Sequence, residues 1–371
     1  MPNKRKAVLI FAQSGRFLAQ SATQAGYRVW VADCFGDQDT ISSCERWQQL
    51  PPFAQLSLDD ILATFNQLTQ GEHCLLICGS GIEAAFSILD KLPDHIQLIG
   101  NSFNTIRTIK TAPLFFAALA KLNLPFPDTL FEPPKVSSTW LVKSASGLGG
   151  NHIHYLDNIT PSQEHYFQRF ITGKYGSVLF SANNSYAQLI SINQQFLSSN
   201  EKTPFRLGKI ETPWQIPTVH IKHLQFAINK LSSELGLMGI NSLDFVISDH
   251  DELMLLEINP RLSASAELTD NKAGLFTLHI NACLNQTEAS PQCELTNNKV
   301  SLKYIYAPHK VTVPVEMKWP TQCHDLPVSG TLIHKGTPIC TSIVHFDEGQ
   351  QSDSLHTSVE QRIFSQLLLS A

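Results

Sequence analysis

The chain has 371 residues, 43% hydrophobic and only 16% charged, with a formal net charge of −5. At about 150 residues per domain that length implies two or three domains, and the apolar content suffices for full cores. The acidic balance, with no basic tract beyond Lys4-Arg5-Lys6, argues against a dedicated nucleic-acid binder.

In chain order, residues 7–12 (AVLIFA) form an apolar run too short for a signal peptide. They read as a buried strand, as do residues 28–33 (RVWVAD), with an amphipathic helix over 17–25 between them. Residues 74–78 (CLLIC) and 96–100 (IQLIG) give two further strands, and Ser57-Leu58-Asp59-Asp60 opens a helix. Strand–helix alternation predicts a parallel sheet with covering helices, a Rossmann-like domain over residues 1–103. The loop after the first strand, Gln13-Ser14-Gly15-Arg16, has one glycine where the dinucleotide fingerprint needs three. Asp33 ends the second strand like a ribose-binding acid, but without those glycines NAD binding is disfavoured.

A helix is expected over 105–122, stopped by Asn123-Leu124-Pro125. The strand TWLVK (139–143) runs into a glycine-rich SASGLGG (144–150), and strands follow at 152–156, 165–171, 177–182 and 187–197. Ile221, Leu224, Ile228, Leu231 and Leu235 recur at helical spacing over 219–235. From 292 the pattern becomes short strands and turns closed by a helix over 359–369, a small β-rich C-terminal domain. No stretch approaches the roughly 20 apolar residues of a membrane span. The eight cysteines are scattered without paired spacing and read as free thiols in a reducing cytoplasm.

Residues 243–261, LDFVIS-DHDE-LMLLEINPR, are the most informative segment: two apolar runs around a polar turn, hence an antiparallel hairpin. Symmetric pairing about that turn sets Asp244 opposite Glu257. Alternation then gives one apolar face of Leu243, Phe245, Ile247, Met254, Leu256 and Ile258. The other face carries Asp244, Glu257, Asn259 and Arg261. Directly opposed like charges destabilise a sheet, so the pair calls for a counter-charge, and Asp, Glu and Asn oxygens suit Mg2+. An exposed acidic face in accidental register is the alternative.

The glycine-rich loop lies between two strands, so it resembles a flap that lays backbone N–H groups over phosphates. Lys143, ending the preceding strand, and Lys110, within the earlier helix, are the available cations. No Walker pattern and no Ser, His or Cys triad is present.

The order Lys110 … LVK-SASGLGG … FQRFITG … SLDF … LLEINPR resembles the ATP-grasp superfamily. More narrowly, the N-terminal segment FAQSGRFLAQSATQAGYRVWVADCFGDQDT with CGSGIE, LIGN and GTPICT resembles a branch of predicted ATP-dependent carboligases related to biotin carboxylase. The resemblance spans nearly the whole chain. It implies an α/β fold with a pre-ATP-grasp domain (1–103), an ATP-grasp domain of two subdomains (104–291) and a β-rich C-terminal domain (292–371). It implies ATP and Mg2+ or Mn2+ as cofactors. Lys110 and Lys143 would contact phosphates beneath a flap of Gly147, Gly149 and Gly150. Gln168, Arg169, Phe170 and Ile171 would form the adenine hinge, with Arg169 where many relatives carry Glu. Asp244, where Glu is common, would ligate the metal with Glu257 and Asn259. Arg261, with Lys143, would serve the transfer chemistry by stabilising an acyl-phosphate or its attack.

Loops after strands offer substrate candidates: Arg16 or Arg261 for a carboxylate, Glu83 for an amine, and Ser263. The function implied is an ATP-dependent carboxylate–amine ligase joining small molecules, with glutamate addition in cofactor biosynthesis as one version. The layout leaves room for a homodimer. Carboxylation of bicarbonate through carboxyphosphate and a non-catalytic nucleotide-binding role are the competing readings.

Overall fold

The computed structural model describes residues 6–135, 139–144, 147, 149–158, 160–162, 164–198, 202–269, 274–285 and 299–368. Flap positions Ala145, Ser146 and Leu148, and the expected boundary at 291/292, lie outside them.

The N-terminal unit runs β1 (Ala7–Phe11), α1 (Arg16–Gln24), β2 (Arg28–Asp33), α2 (Gln38–Ile41), β3 (Arg46–Gln49), α3 (Leu58–Thr69), β4 (Cys74–Cys78), α4 (Ile82–Ala85) and β5 (Ile96–Leu98). Its five strands are parallel in the order β3-β2-β1-β4-β5. All five residues of β1 are buried, as an uninterrupted apolar run requires when helices cover both faces. α3 opens on a reciprocal capping box between Ser57 and Asp60. The sequence reading missed β3, an edge strand of mixed polarity.

The expected single helix over 105–122 is two: α5 (Phe103–Lys110) and α6 (Ala112–Lys121), separated at Thr111. Pro113 causes the break, because it lacks an N–H and its ring collides with the carbonyl four residues back. Lys110 therefore ends a helix instead of lying inside one.

A four-stranded sheet then forms from β6 (Thr129–Leu130), β7 (Trp140–Ser144), β8 (His154–Tyr155) and β9 (His165–Arg169), ordered β6-β9-β7-β8. The chain continues through β10 (Gly173–Asn183), β11 (Ala187–Leu197), β12 (Leu207–Thr212), α7 (Thr218–Leu235), β13 (Met238–Ser248) and β14 (Leu253–Asn259). Next come α8 (Ala264–Thr269), α9 (Gly274–Cys283), β15 (Lys299–Tyr306), β16 (Val311–Thr312), β17 (Cys323–His324), β18 (Leu332–Ile333), β19 (Pro338–Phe346) and α10 (Ser352–Leu368). The last helix thus begins seven residues before the expected Val359. The eight-stranded sheet reads β14-β13-β10-β11-β12-β15-β19-β17, so the C-terminal strands extend the sheet that carries the hairpin.

Apolar packing joins the units. Leu18, Ala22, Val31 and Ile77 of the first share a core with Ile240, Leu262, Ala266 and Phe276. The His279 ring stitches the same seam, accepting from Ile240 N–H at 2.9 Å and lying 3.1 Å from the Ile99 carbonyl. No helix among the described residues is long and apolar enough to cross a membrane.

Candidate active site

The hairpin forms β13 and β14, and Asp244 does pair with Glu257. The expected face assignment needs one correction. A bulge between Asp244 and Phe245 sets Phe245 against Leu255 and Ile247 against Leu253, one residue off the symmetric register. Leu253 and Leu255, not Met254 and Leu256, therefore join Leu243, Phe245 and Ile258 in the core. One inserted residue flips every side chain beyond it.

The carboxylate row continues across the sheet. Ser177 on β10 pairs with Asp244, and Asn193 on β11 pairs with Ser177. Opposed residues share a face, so four polar side chains lie in one line. Gln195 Nε2 donates to Asp244 Oδ1 at 3.3 Å, and Asn259 Nδ2 to Oδ2 at 3.2 Å. Burial and the Glu257 charge push the Asp244 carboxyl up to about 8. Glu257 is held below the ordinary carboxylate range: burial opposes this, but Lys110, His152 and Lys143 outweigh it. Two carboxylates this close cannot both ionise without cationic help.

The smaller sheet faces that row. Lys143 pairs with Tyr166 across β7 and β9 and is 7% exposed. Burial lowers its affinity for a proton, while Glu257 and Asp244 act to retain the charge. Its ammonium donates to Gln168 Oε1 at 2.7 Å, and Gln168 Nε2 in turn donates to Thr129 Oγ1 at 3.1 Å. Gln168 therefore orients Lys143. Tyr166 is buried near Glu257, both of which push its hydroxyl well above the usual phenol range.

Two glycines at the flap's end meet a steric demand. Gly150 has φ +77°, and a Cβ there would lie 2.0 Å from the Phe205 carbonyl oxygen. At Gly147 a Cβ would fall 1.9 Å from His152 Cγ. Leu207 N–H donates to the Gly149 carbonyl at 3.0 Å, tying this end of the flap to the large sheet. At the hinge, Arg169 N–H donates to Asp128 and Phe170 N–H to Thr139, at 2.8 and 2.9 Å, so sheet pairing already uses both donors. The Phe170 ring packs edge-on against Tyr155 and Phe205. The Ile171 carbonyl accepts from Tyr175 Oη at 3.1 Å.

The expected substrate residues lie elsewhere along the same edge of the first sheet, and they are paired. Arg261 Nε donates to buried Glu83 Oε1 at 2.7 Å, and its Nη2 lies 3.4 Å from Asn259 Oδ1. The Arg16 guanidinium is fully engaged by Asp325 and Glu267. Ser263 Oγ lies 2.9 Å from Ser265 Oγ. The residues that sequence reasoning missed are His152, Tyr166, Ser177, Asn193 and Gln195. Polar Ser177 and Asn193 within otherwise apolar strands were the available signal.

Asp244 and Glu257 oxygens fit a hard divalent cation, since a buried like-charged pair needs one and both are oxygen donors. Asn259 turns its NH2 to Asp244 and its oxygen to Arg261, so joining such a ligand set requires its amide to turn over.

Two sheets closing on an acid pair beneath two lysines define an ATP-grasp architecture. The ATP-grasp domain family matches residues 113–265. An uncharacterized protein of Methanocaldococcus jannaschii is 23% identical over 357 residues, covering 90% of this chain and 87% of that protein. The N5-carboxyaminoimidazole synthase of Aspergillus clavatus, solved with ADP and 5-aminoimidazole ribonucleotide, superposes with a TM-score of 0.71 at 14% identity, covering 98% of this chain and 99% of its own. The biotin carboxylase domain dimer of Hydrogenobacter thermophilus 2-oxoglutarate carboxylase, solved with MgADP and bicarbonate, gives 0.70 at 12% identity over 91% and 86%. The L-amino acid ligase of Bacillus licheniformis gives 0.69 at 14% identity over 97% and 98%. Residues 113–265 thus match the ATP-grasp domain family, and the chain as a whole has the fold of biotin carboxylase and of these ligases.

Proposed function

We propose that this protein is a cytoplasmic ATP-dependent ligase that joins a small-molecule carboxylate to an amine, with residues 1–103, 104–291 and 292–371 as its working units. The observation that carries the reading is the Asp244–Glu257 pair, flanked by Lys110 and Lys143. Such a site supplies charge compensation and positioning, which is what phosphoryl transfer needs. Asp244 and Glu257, with Asn259 after its amide turns, would hold Mg2+, which when bound neutralises phosphate charge.

The chain's own groups do the rest. Lys110 and Lys143 receive the phosphates, with Gln168 keeping the Lys143 ammonium aimed by its 2.7 Å hydrogen bond. Gly147, Gly149 and Gly150 bring backbone close to the nucleotide, and the hinge from Gln168 to Ile171 borders the adenine. The substrate carboxylate attacks the γ-phosphate, ADP leaves, and the amine displaces phosphate from the acyl-phosphate. Arg261, fixed by Glu83, stands beside Asn259 to stabilise charge on that acyl group.

The test is an ADP-release screen of amine and carboxylate pairs in bicarbonate-depleted buffer, with mass spectrometry of the products. A condensed amide with stoichiometric ADP is expected. The likeness to the bicarbonate-bound carboxylase domain supports a second reading, carboxylation, in which ADP release requires bicarbonate and yields no amide.

A further inference from the structure

Basic side chains turned into this molecule hold acids: Arg16 holds Asp325 and Glu267, Arg261 holds Glu83, and Lys209 holds Glu211 and Asp353. Arg206 does not. It is 8% exposed and pairs with no acid among the described residues. Its Nη1 donates to the Gly336 carbonyl at 2.8 Å and its Nη2 to Ser198 Oγ at 3.3 Å. Its Nε–H is buried with no acceptor among the described residues. The guanidinium lies over the Tyr306 ring, 3.6 Å from the ring centroid.

Strand register puts this group on the face that carries the acid pair. Gln195, which donates to Asp244, pairs with Ile210, and Ile210 pairs with Leu302. Alternation along β15 then turns Tyr304 and Tyr306 to the same side, with their rings 6.2 Å apart. The glycine-rich loop covers the spot. Leu207 N–H donates to the Gly149 carbonyl at 3.0 Å, and a Cβ on Gly150 would lie 3.4 Å from Arg206 Cα. The acid pair is well removed: from β13 to β12 is three strand spacings, about 14 Å across the sheet. Ile210 to Arg206 adds four residues, about 13 Å along it. One phosphate group cannot touch both Asp244 and Arg206.

We propose that Arg206 anchors an oxyanion subsite, and that its occupant is a second anionic group of the substrate, remote from the reacting carboxylate. Only the naming of that occupant rests on the ligase reading; the subsite stands on the Arg206 geometry. A guanidinium presents paired N–H donors that match two oxygens of a phosphate or carboxylate. Nε and Nη2 are such a pair: the first has no acceptor, and the second has only the long bond to Ser198. A buried charge without an opposite charge is destabilising, and an oxyanion supplies that charge. Lifting the glycine-rich loop, held here through Gly149, opens the way to it. The substrate class is therefore an acid that carries a further phosphate or carboxylate, not a simple monoacid.

The experiment is calorimetric titration of inorganic phosphate into the full chain saturated with the Mg2+ complex of a non-hydrolysable ATP analogue. The wild-type chain is expected to bind phosphate, and Arg206→Gln to bind it about 10–100-fold more weakly, the worth of a charge-assisted hydrogen bond. Arg206→Lys, which keeps the charge and loses the fork, should fall between them. Unchanged phosphate binding in a folded Arg206→Gln overturns the subsite. Should the variants not fold, NMR of isotope-labelled arginine in the wild-type chain decides: phosphate must shift an Nε–H resonance, and no shift overturns the subsite. If phosphate binds only without the analogue, and Arg206→Gln weakens the analogue, the occupant is the nucleotide's own phosphate and the second-anion assignment falls. In the ADP-release screen, acids bearing a phosphate or second carboxylate should outpace matched monoacids, and equal rates overturn the substrate class. If no ligase product is found yet Arg206-dependent phosphate binding holds, the ligase reading fails and the oxyanion subsite survives.

Discussion

Two buried charge clusters in this molecule are built on opposite principles. Around Arg16, one cation is enclosed by carboxylates that are also satisfied by backbone N–H groups, hydroxyls and an indole. Around Asp244 and Glu257, two opposed acids meet two lysines that lie beyond the sheet, with only side-chain amides as close donors. The first arrangement closes on itself and holds segments together that are some 309 residues apart. The second leaves negative charge for something else to complete, as perturbed acids gathered at a functional site do.

The comparison breaks most readily at the open cluster. Glu257→Gln should cut Mg-dependent ADP release by about 10²–10³-fold, the size expected for losing one charge-stabilising group, while far-ultraviolet circular dichroism stays unchanged. Unaltered turnover would remove the site assignment. Lys143→Ala should cost about 10²-fold in kcat/KM for ATP, and Gln168→Leu a smaller part of it, because Gln168 only aims the ammonium. At the closed cluster the effect should fall on stability. Arg16→Met leaves the partly buried Asp325 and Glu267 without their partner, and urea unfolding should show a loss of about 2–3 kcal/mol. A stable Arg16→Met protein that binds substrate poorly would assign Arg16 to recognition instead.

Smaller still is a pH effect away from both clusters. Burial holds His279 and His356 down to about 4. The unfolded chain takes up these protons near 6.5 while the fold refuses them until about 4, so their contribution to stability is lost as pH falls between those values. From pH 7 to 5 that amounts to about 2 kcal/mol per histidine. Unfolding free energies at the two pH values should therefore differ less in His356→Gln than in the wild type.

The hairpin register was legible because an alternating apolar pattern fixes which acids oppose each other, and Asp244 met Glu257 as expected. The bulge beside them was not, since one extra residue leaves the local composition unchanged. Pro113 was a readable helix stop that the continuous apolar pattern of 105–122 obscured. Ser177, Asn193 and Gln195 escaped because their place in the row depends on pairing between strands that the chain does not order by itself. The partners of Arg16 and Arg261 were equally hidden, for Asp325 and Glu83 lie 309 and 178 residues away. The extension of the large sheet by β15 and β19 depends on tertiary pairing that short polar-flanked strands do not announce.

The central claim is acyl-phosphate chemistry driven from the Asp244–Glu257 site. It is tested most directly by following heavy oxygen from a labelled substrate carboxylate during one turnover with ATP, Mg2+ and the amine. The account predicts one labelled oxygen in the released inorganic phosphate for each amide formed. Phosphate free of label, with all the heavy oxygen kept in the product, would contradict it.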